Sequence, residues 1–309
     1  MSVFIETTDT ENHKWIDARF DLKDPAAGRK LYEEEHVAGA VFWDLEKDMS
    51  DMSSSNGRHP MPSTEQLAEL IRSSGLDPKD SVVVYDQGGS PYAARAWWLL
   101  KYAGFDQVYI SQKGFDKLKE QGIAVSVEMP NPQPTEAKIE FKDELFADQA
   151  YVKNVISGDE LGVLVDARSA ARYAGLEEPI DPVAGRIPGA RNLDWAQFVS
   201  KGEFQLSDDI SHIVQQHEPA VVYCGSGVTA AALYAIMAEK GYNQLKLYMG
   251  SFSDWITDGE NVVEFDRGEH PEAADEQTKA ILAKLIEEGY SGEMLMKKFE
   301  YEKSLLDSK

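Results

Sequence analysis

Short apolar runs rich in valine, isoleucine and tyrosine recur along the chain between polar or glycine-bearing turns. They include Trp15-Ile16, Val82-Val83-Val84-Tyr85, Val108-Tyr109-Ile110, Leu164-Val165, Ala220-Val221-Val222-Tyr223 and Leu245-Lys246-Leu247-Tyr248. Runs this short and β-branched predict buried strands. Ala230-Ala231-Ala232-Leu233-Tyr234-Ala235-Ile236-Met237-Ala238 is too long and too rich in alanine for a strand and predicts a helix. Strands alternating with helices predict a parallel α/β fold.

The pattern occurs twice. Trp15-Ile16-Asp17-Ala18-Arg19 is echoed by Leu164-Val165-Asp166-Ala167-Arg168, and His36 to Asp44 by Arg186 to Asp194, each with a glycine turn leading into a strand. Ser81 to Asp86 matches Pro219 to Cys224, each followed by a glycine turn and a helix rich in alanine and aromatic residues. Gly114-Phe115 and Gly250-Ser251-Phe252 close the two copies after their last strands. Met129-Pro130-Asn131-Pro132-Gln133-Pro134-Thr135 has three alternating prolines and predicts an extended linker. The expected organisation is a first α/β domain over residues 1–128, a linker over 129–140, a second α/β domain over 141–265 and a helical C-terminal extension over 266–309. In that extension, Ile281, Leu282, Leu285 and Ile286 fall on one helical face and Met294, Leu295 and Phe299 on another, as in a pair of amphipathic packing helices.

Length and composition agree with two cores: 309 residues, 42% hydrophobic and 28% charged. The formal charge of −23 excludes nucleic acid and anionic membrane as expected partners, since both would repel the chain. An anionic substrate must therefore find a local cationic pocket. The single cysteine allows no internal disulfide and no cysteine-cluster metal site, and suits a reducing compartment. The polar start from Met1 to His13 does not read as a signal peptide, and no apolar run approaches the roughly 18 residues of a membrane span. The cytoplasm is the expected location.

Cys224 sits where a strand meets Gly225-Ser226-Gly227 and a helix. A lone cysteine is most often a small buried hydrophobe. At a glycine turn against a helix N-terminus, however, unpaired backbone N–H groups and the helix dipole stabilise a thiolate, so here the residue reads as a nucleophile. Attack on phosphorus needs an arginine at the sixth position after the cysteine to hold phosphate oxygens, and Ala230 stands there. Attack on sulfur fits the tight, uncharged loop better.

Cys224-Gly225-Ser226-Gly227-Val228-Thr229-Ala230 resembles the active-site loop of the rhodanese superfamily. Its Gly-Ser-Gly form is similar to that of 3-mercaptopyruvate sulfurtransferases; thiosulfate-specific rhodaneses carry basic residues just after the cysteine. The resemblance covers roughly Trp15 to Trp255 and implies two tandem rhodanese-like domains, the first lacking the nucleophile. Asp86 holds the place of Cys224 in the first half, with two more residues before its helix, and an aspartate cannot carry sulfane sulfur. The first half is expected to line one wall of the site.

Further assignments follow from that resemblance. Arg58-His59-Pro60-Met61-Pro62 is similar to the segment that supplies a histidine to the loop serine, which makes Cys224, Ser226 and His59 the expected catalytic set. An acid should join His59, and Asp44, Glu46, Asp48 and Asp51 are near the matching segment. Arg172 aligns with an arginine that binds the donor carboxylate, while Gly225, Gly227, Val228 and Thr229 line the loop. A second arginine of the family is missing from Glu177-Glu178-Pro179-Ile180-Asp181-Pro182, and Arg186 or Arg191 could replace its charge. Ordinary salt bridges are the plainer account of those two.

The implied reaction passes sulfur from a small anionic donor, 3-mercaptopyruvate, to Cys224 and then to thioredoxin, a small dithiol or cyanide, with no metal or organic cofactor. Thiosulfate as donor is one alternative. A persulfide carrier that docks on a partner is another, to which the acidic surface and the added tail would lend themselves.

Overall fold

The structure, a computed structural model, describes residues 2–266 together with residues 281, 284, 285, 298 and 299. Most of the predicted C-terminal extension lies outside the described residues. Of its named positions, Ile281, Leu285 and Phe299 are described and pack with Val183.

Two five-stranded parallel sheets carry the molecule. The first runs, edge to edge, Phe4–Ile5, Val108–Ser111, Val82–Tyr85, Lys14–Asp17 and Val41–Phe42. The second runs Phe146–Ala147, Leu245–Tyr248, Ala220–Tyr223, Val163–Asp166 and Arg191–Asn192 in the same order. Each segment of the sequence repeat therefore occupies the same place in both sheets. The central strands Val82–Tyr85 and Ala220–Tyr223 are buried throughout, as strands covered on both faces must be. Between the halves, residues 129–142 hold neither helix nor strand. Thr135 and Ala137 tie this stretch to Arg72 and Leu76 at the end of the helix Thr64–Ser73.

The repeated Asp-Ala-Arg has one structural job in both halves. Arg19 folds back on Asp17 at 2.6 Å and donates to the Glu35 carbonyl, and Arg168 does the same with Asp166 at 2.6 Å and the Gly185 carbonyl. Each carboxylate ends a buried strand, so an adjacent guanidinium supplies the counter-charge that burial demands.

The helices after the central strands, Tyr92–Tyr102 and Val228–Glu239, pack on each other and fuse the two halves into one core. Tyr234 meets Trp97 and Trp98 there, with ring centroids 6.2 Å and 6.4 Å apart.

Across that seam each half covers the other's glycine loop. Gly88 and Gly89, beside Asp86, lie against Gly202 in the antiparallel hairpin of Val199–Ser200 and Glu203–Phe204. In the reciprocal contact Gly57 lies against Gly250 and Ser253, so the segment 57–59 covers the Cys224 loop. The residue after each covering glycine reaches onward, but with opposite charge. Glu203 meets Lys113 and Lys117, whereas Arg58 reaches the catalytic side. No helix among the described residues is long and apolar enough to cross a membrane.

Candidate active site

Strand Ala220–Tyr223 delivers Cys224 at its C-terminal end, and the helix Val228–Glu239 begins four residues later. Gly227 makes the turn with a φ of 77° and stands at the helix N-cap. The loop is held from below by the segment after strand Leu245–Tyr248. Ser251 Oγ accepts from the Cys224 N–H at 3.1 Å and donates to the Tyr248 carbonyl at 2.8 Å. The N–H groups of Phe252 and Ser253 donate to the carbonyls of Cys224 and Gly225. Ser251 is fully buried at a φ of 57°, a left-handed conformation unusual for serine that these bonds enforce. With the Cys224 N–H occupied, the N–H groups left to receive charge are those that follow through the Gly225-Ser226-Gly227 turn to the start of the helix, including Val228 and Thr229.

Asp86, in the matching place of the first half, spends its carboxylate on its own loop and helix, accepting from Gly88 N–H at 2.7 Å and Ala93 N–H at 3.0 Å. Burial pushes it up to about 7 in spite of those bonds. The Phe115 N–H donates to the Asp86 carbonyl as Phe252 does to Cys224, so the scaffold is the same and only the chemistry differs.

Three side chains of the first half reach the Cys224 loop. His59 is buried and its Nδ1 lies 2.8 Å from Ser226 Oγ. Burial, with the guanidiniums of Arg58 and Arg95 nearby, lowers it to about 3, so the ring is neutral at any working pH. Three of the candidate acids are engaged elsewhere: Asp44 accepts from the N–H groups of Glu46 and Lys47, Asp48 from Asp44, and Asp51 from Ser53. Arg95 is fully buried, donates to the carbonyls of His59 and Met49 and to the Met249 sulfur, and leaves its Nε without a partner among the described residues. Burial lowers it to about 9, with the charge of Cys224 pulling the other way.

Arg58 arrives beside His59 and was not foreseen. A Cβ placed on Gly225 would lie 2.5 Å from Arg58 Nη2 and 3.3 Å from Arg172 Nη2, so two guanidiniums meet directly over the residue after the cysteine. Arg172 stands on the short helix Ala170–Ala174 and so is brought to the loop as the resemblance implied. Both cations share one carboxylate: Asp181 accepts from Arg58 at 2.8 Å and from Arg172 at 3.1 Å. Glu178 holds Arg172 at 2.7 Å and Arg168 at 3.2 Å.

Arg186 is not gathered with them. Its guanidinium is taken up by Glu264 at 2.8 Å and Asp266 at 2.9 Å and stacks on the Tyr173 ring, while its backbone pairs with Glu264. Arg186 thus follows the salt-bridge account rather than that of a second substrate cation, because among the described residues no contact ties its guanidinium to the Cys224 loop. Arg191 pairs with Glu218 at 2.9 Å. The second cation over the loop is Arg58, from the other half of the chain. Among the described residues no group of three or more histidine, cysteine, aspartate and glutamate side chains is placed to hold a metal ion.

The rhodanese-like domain family matches residues 2–121 and again 148–258. A probable 3-mercaptopyruvate sulfurtransferase of Pseudomonas aeruginosa is 38% identical over 253 residues, 79% of this chain and 89% of that protein. A putative thiosulfate sulfurtransferase of Mycobacterium tuberculosis is 36% identical over 254 residues, 79% of this chain and 87% of that protein. The solved 3-mercaptopyruvate sulfurtransferase of Leishmania major superposes with a TM-score of 0.71 at 27% identity, covering 82% of this chain and 73% of that one. With a nucleophile loop in one copy of a doubled fold and a family match in each half, the chain belongs to the rhodanese family, as a tandem-domain sulfurtransferase.

Proposed function

We propose that the chain takes sulfane sulfur from 3-mercaptopyruvate onto Cys224 and passes it to a thiol acceptor. The observation that carries this reading is the meeting of Arg58 and Arg172 over Gly225, beside a His59–Ser226 pair, above a loop whose own side chains carry no charge. The relative from Pseudomonas aeruginosa, named for that donor, supports it.

The Cys224 thiolate attacks the donor sulfur, forming the S–S bond of a persulfide. The carbon–sulfur bond breaks and its electron pair leaves as the enolate of pyruvate. Arg58 and Arg172 hold the donor carboxylate, and the N–H groups at the start of the Val228–Glu239 helix face the outer sulfur. Ser226, oriented by the neutral His59 ring 2.8 Å away, gives its proton to the enolate carbon, and its oxygen takes a proton back from water before the next turnover. An external thiolate such as that of thioredoxin or a small dithiol, or cyanide, then takes the outer sulfur and frees Cys224. Two half-reactions on one cysteine predict ping-pong kinetics. A lone free thiol at the reacting centre suits the cytoplasm.

Thiosulfate is the second reading, favoured by the same pair of arginines and by the Mycobacterium tuberculosis relative named for it. Pyruvate release from 3-mercaptopyruvate, measured beside thiosulfate-to-cyanide transfer for the wild type and Cys224→Ser, separates the two. Strong pyruvate release that the substitution abolishes is the expected result. Faster turnover of thiosulfate overturns the donor assignment. Persulfide loading without turnover on either donor replaces the enzyme by a carrier that waits for its partner.

A further inference from the structure

Asp181 is a carboxylate in the place where a donor carboxylate would be expected. Its side chain is 1% exposed. Oδ1 accepts from Arg58 Nε at 2.8 Å, and Oδ2 accepts from Arg58 Nη2 at 3.3 Å and Arg172 Nη2 at 3.1 Å. A Cβ on Gly225 would lie 3.5 Å from that Oδ2, which sets the charge against the residue after the cysteine. Its own N–H donates to Glu178 at 3.0 Å, and Glu178 is itself held by Arg172 and Arg168. Removing this carboxylate would leave two half-buried guanidiniums facing each other, so it stays when a donor enters.

Two consequences follow. Asp181 is the counter-charge of Arg58, as Glu178, bound to Arg172 Nε at 3.0 Å and Nη2 at 2.7 Å, is that of Arg172, and of these two carboxylates Asp181 is the one set against Gly225. It also aims the guanidiniums. Among the described residues, Nη1 of Arg58 and Nη1 of Arg172 make no hydrogen bond, and together they can receive one small carboxylate. A dianion must instead accept a fixed negative neighbour at close range in a site of low dielectric.

We propose that Asp181 is a specificity-determining residue: it tunes the donor site to a monoanion and turns away dianions. This rests on the sulfurtransferase reading and deepens it. The test compares wild type, Asp181→Asn and Asp181→Glu in two ways. One is kcat/KM with 3-mercaptopyruvate and with thiosulfate. The other needs no turnover: the rate of alkylation of Cys224, the chain's single thiol, by anionic iodoacetate relative to neutral iodoacetamide, normalised to the same ratio for glutathione.

Asp181→Asn is expected to raise the normalised alkylation ratio about tenfold and to favour thiosulfate over 3-mercaptopyruvate by a similar factor, the scale of one nearby charge. Asp181→Glu should keep wild-type selectivity. An unchanged ratio in Asp181→Asn, or equal losses with both donors and both reagents, overturns the proposal, the latter because it marks a purely structural carboxylate. Should Asp181→Asn fail to fold, the wild type alone decides: normalised alkylation by monoanionic iodoacetate that outpaces normalised alkylation by dianionic 2-bromosuccinate supports the proposal, and equal or faster reaction with the dianion overturns it. If the wild type turns over neither donor, the donor reading fails while the alkylation ratios still judge Asp181.

Discussion

At Gly227 two constraints coincide: a φ of 77° and no room, since a Cβ would lie 2.2 Å from the Met249 carbonyl oxygen and 2.9 Å from Arg95. Gly227→Ala should lower stability by more than about 2 kcal/mol, read from the urea midpoint, and cut sulfur transfer at least tenfold by displacing the helix N-terminus from the thiolate. The glycine, the cysteine and the serine were legible because strand, turn and helix are adjacent in sequence. Arg172 and His59 were legible through the family resemblance, since composition alone leaves each a surface residue. Arg58, Arg95 and Ser251 were not. Each acts across a contact far along the chain, Arg58 and Arg95 from the half without a nucleophile and Ser251 from beneath the loop. In the sequence Asp181 is only part of a segment that lacks the family's second arginine; that it bridges two guanidiniums is a fact of the fold.

Among the elements, the seam between the helices Tyr92–Tyr102 and Val228–Glu239 has the greatest leverage. Both helices are apolar nearly all round, which explains why no amphipathic period marks them and why they must be buried on all sides. Trp98, fully buried, meets Tyr234 edge-on in the contact. Trp98→Ala should cost about 3–5 kcal/mol in chemical denaturation and weaken sulfur transfer as well, since the seam carries the His59 segment to Ser226. The repeated strands and a parallel α/β domain used twice were foreseen from the doubled apolar pattern, but the order of the strands across each sheet was not. The two-residue edge strands Phe4–Ile5 and Phe146–Ala147 were not, nor was the hairpin over Asp86. Segments that short have no periodicity to read, and their pairing depends on the sheet already being there.

For the whole molecule, the buried His59 ties folding to acidity. The native ring is held at about 3 against an ordinary 6.5, so below pH 6.5 the unfolded chain binds a proton that the native chain refuses. Its contribution to stability is therefore complete above pH 6.5 and lost as the pH falls toward 3. Between pH 6.5 and pH 5 the wild type should lose about 2 kcal/mol more than His59→Gln, measured as urea unfolding at each pH. Comparing the two proteins cancels the opposite trend from Asp86, whose raised value favours the acid side. Over the same range His59 adds no inflection to the rate of sulfur transfer, because it stays neutral. The chain also has only one thiol, and it is the reacting one. No second cysteine exists to resolve a persulfide or a sulfenic acid into an internal disulfide. A loaded molecule therefore keeps its sulfur until another molecule collects it, and an oxidised one stays inactive until another repairs it. The intact mass of the protein is thus a direct reading of how much sulfur it holds.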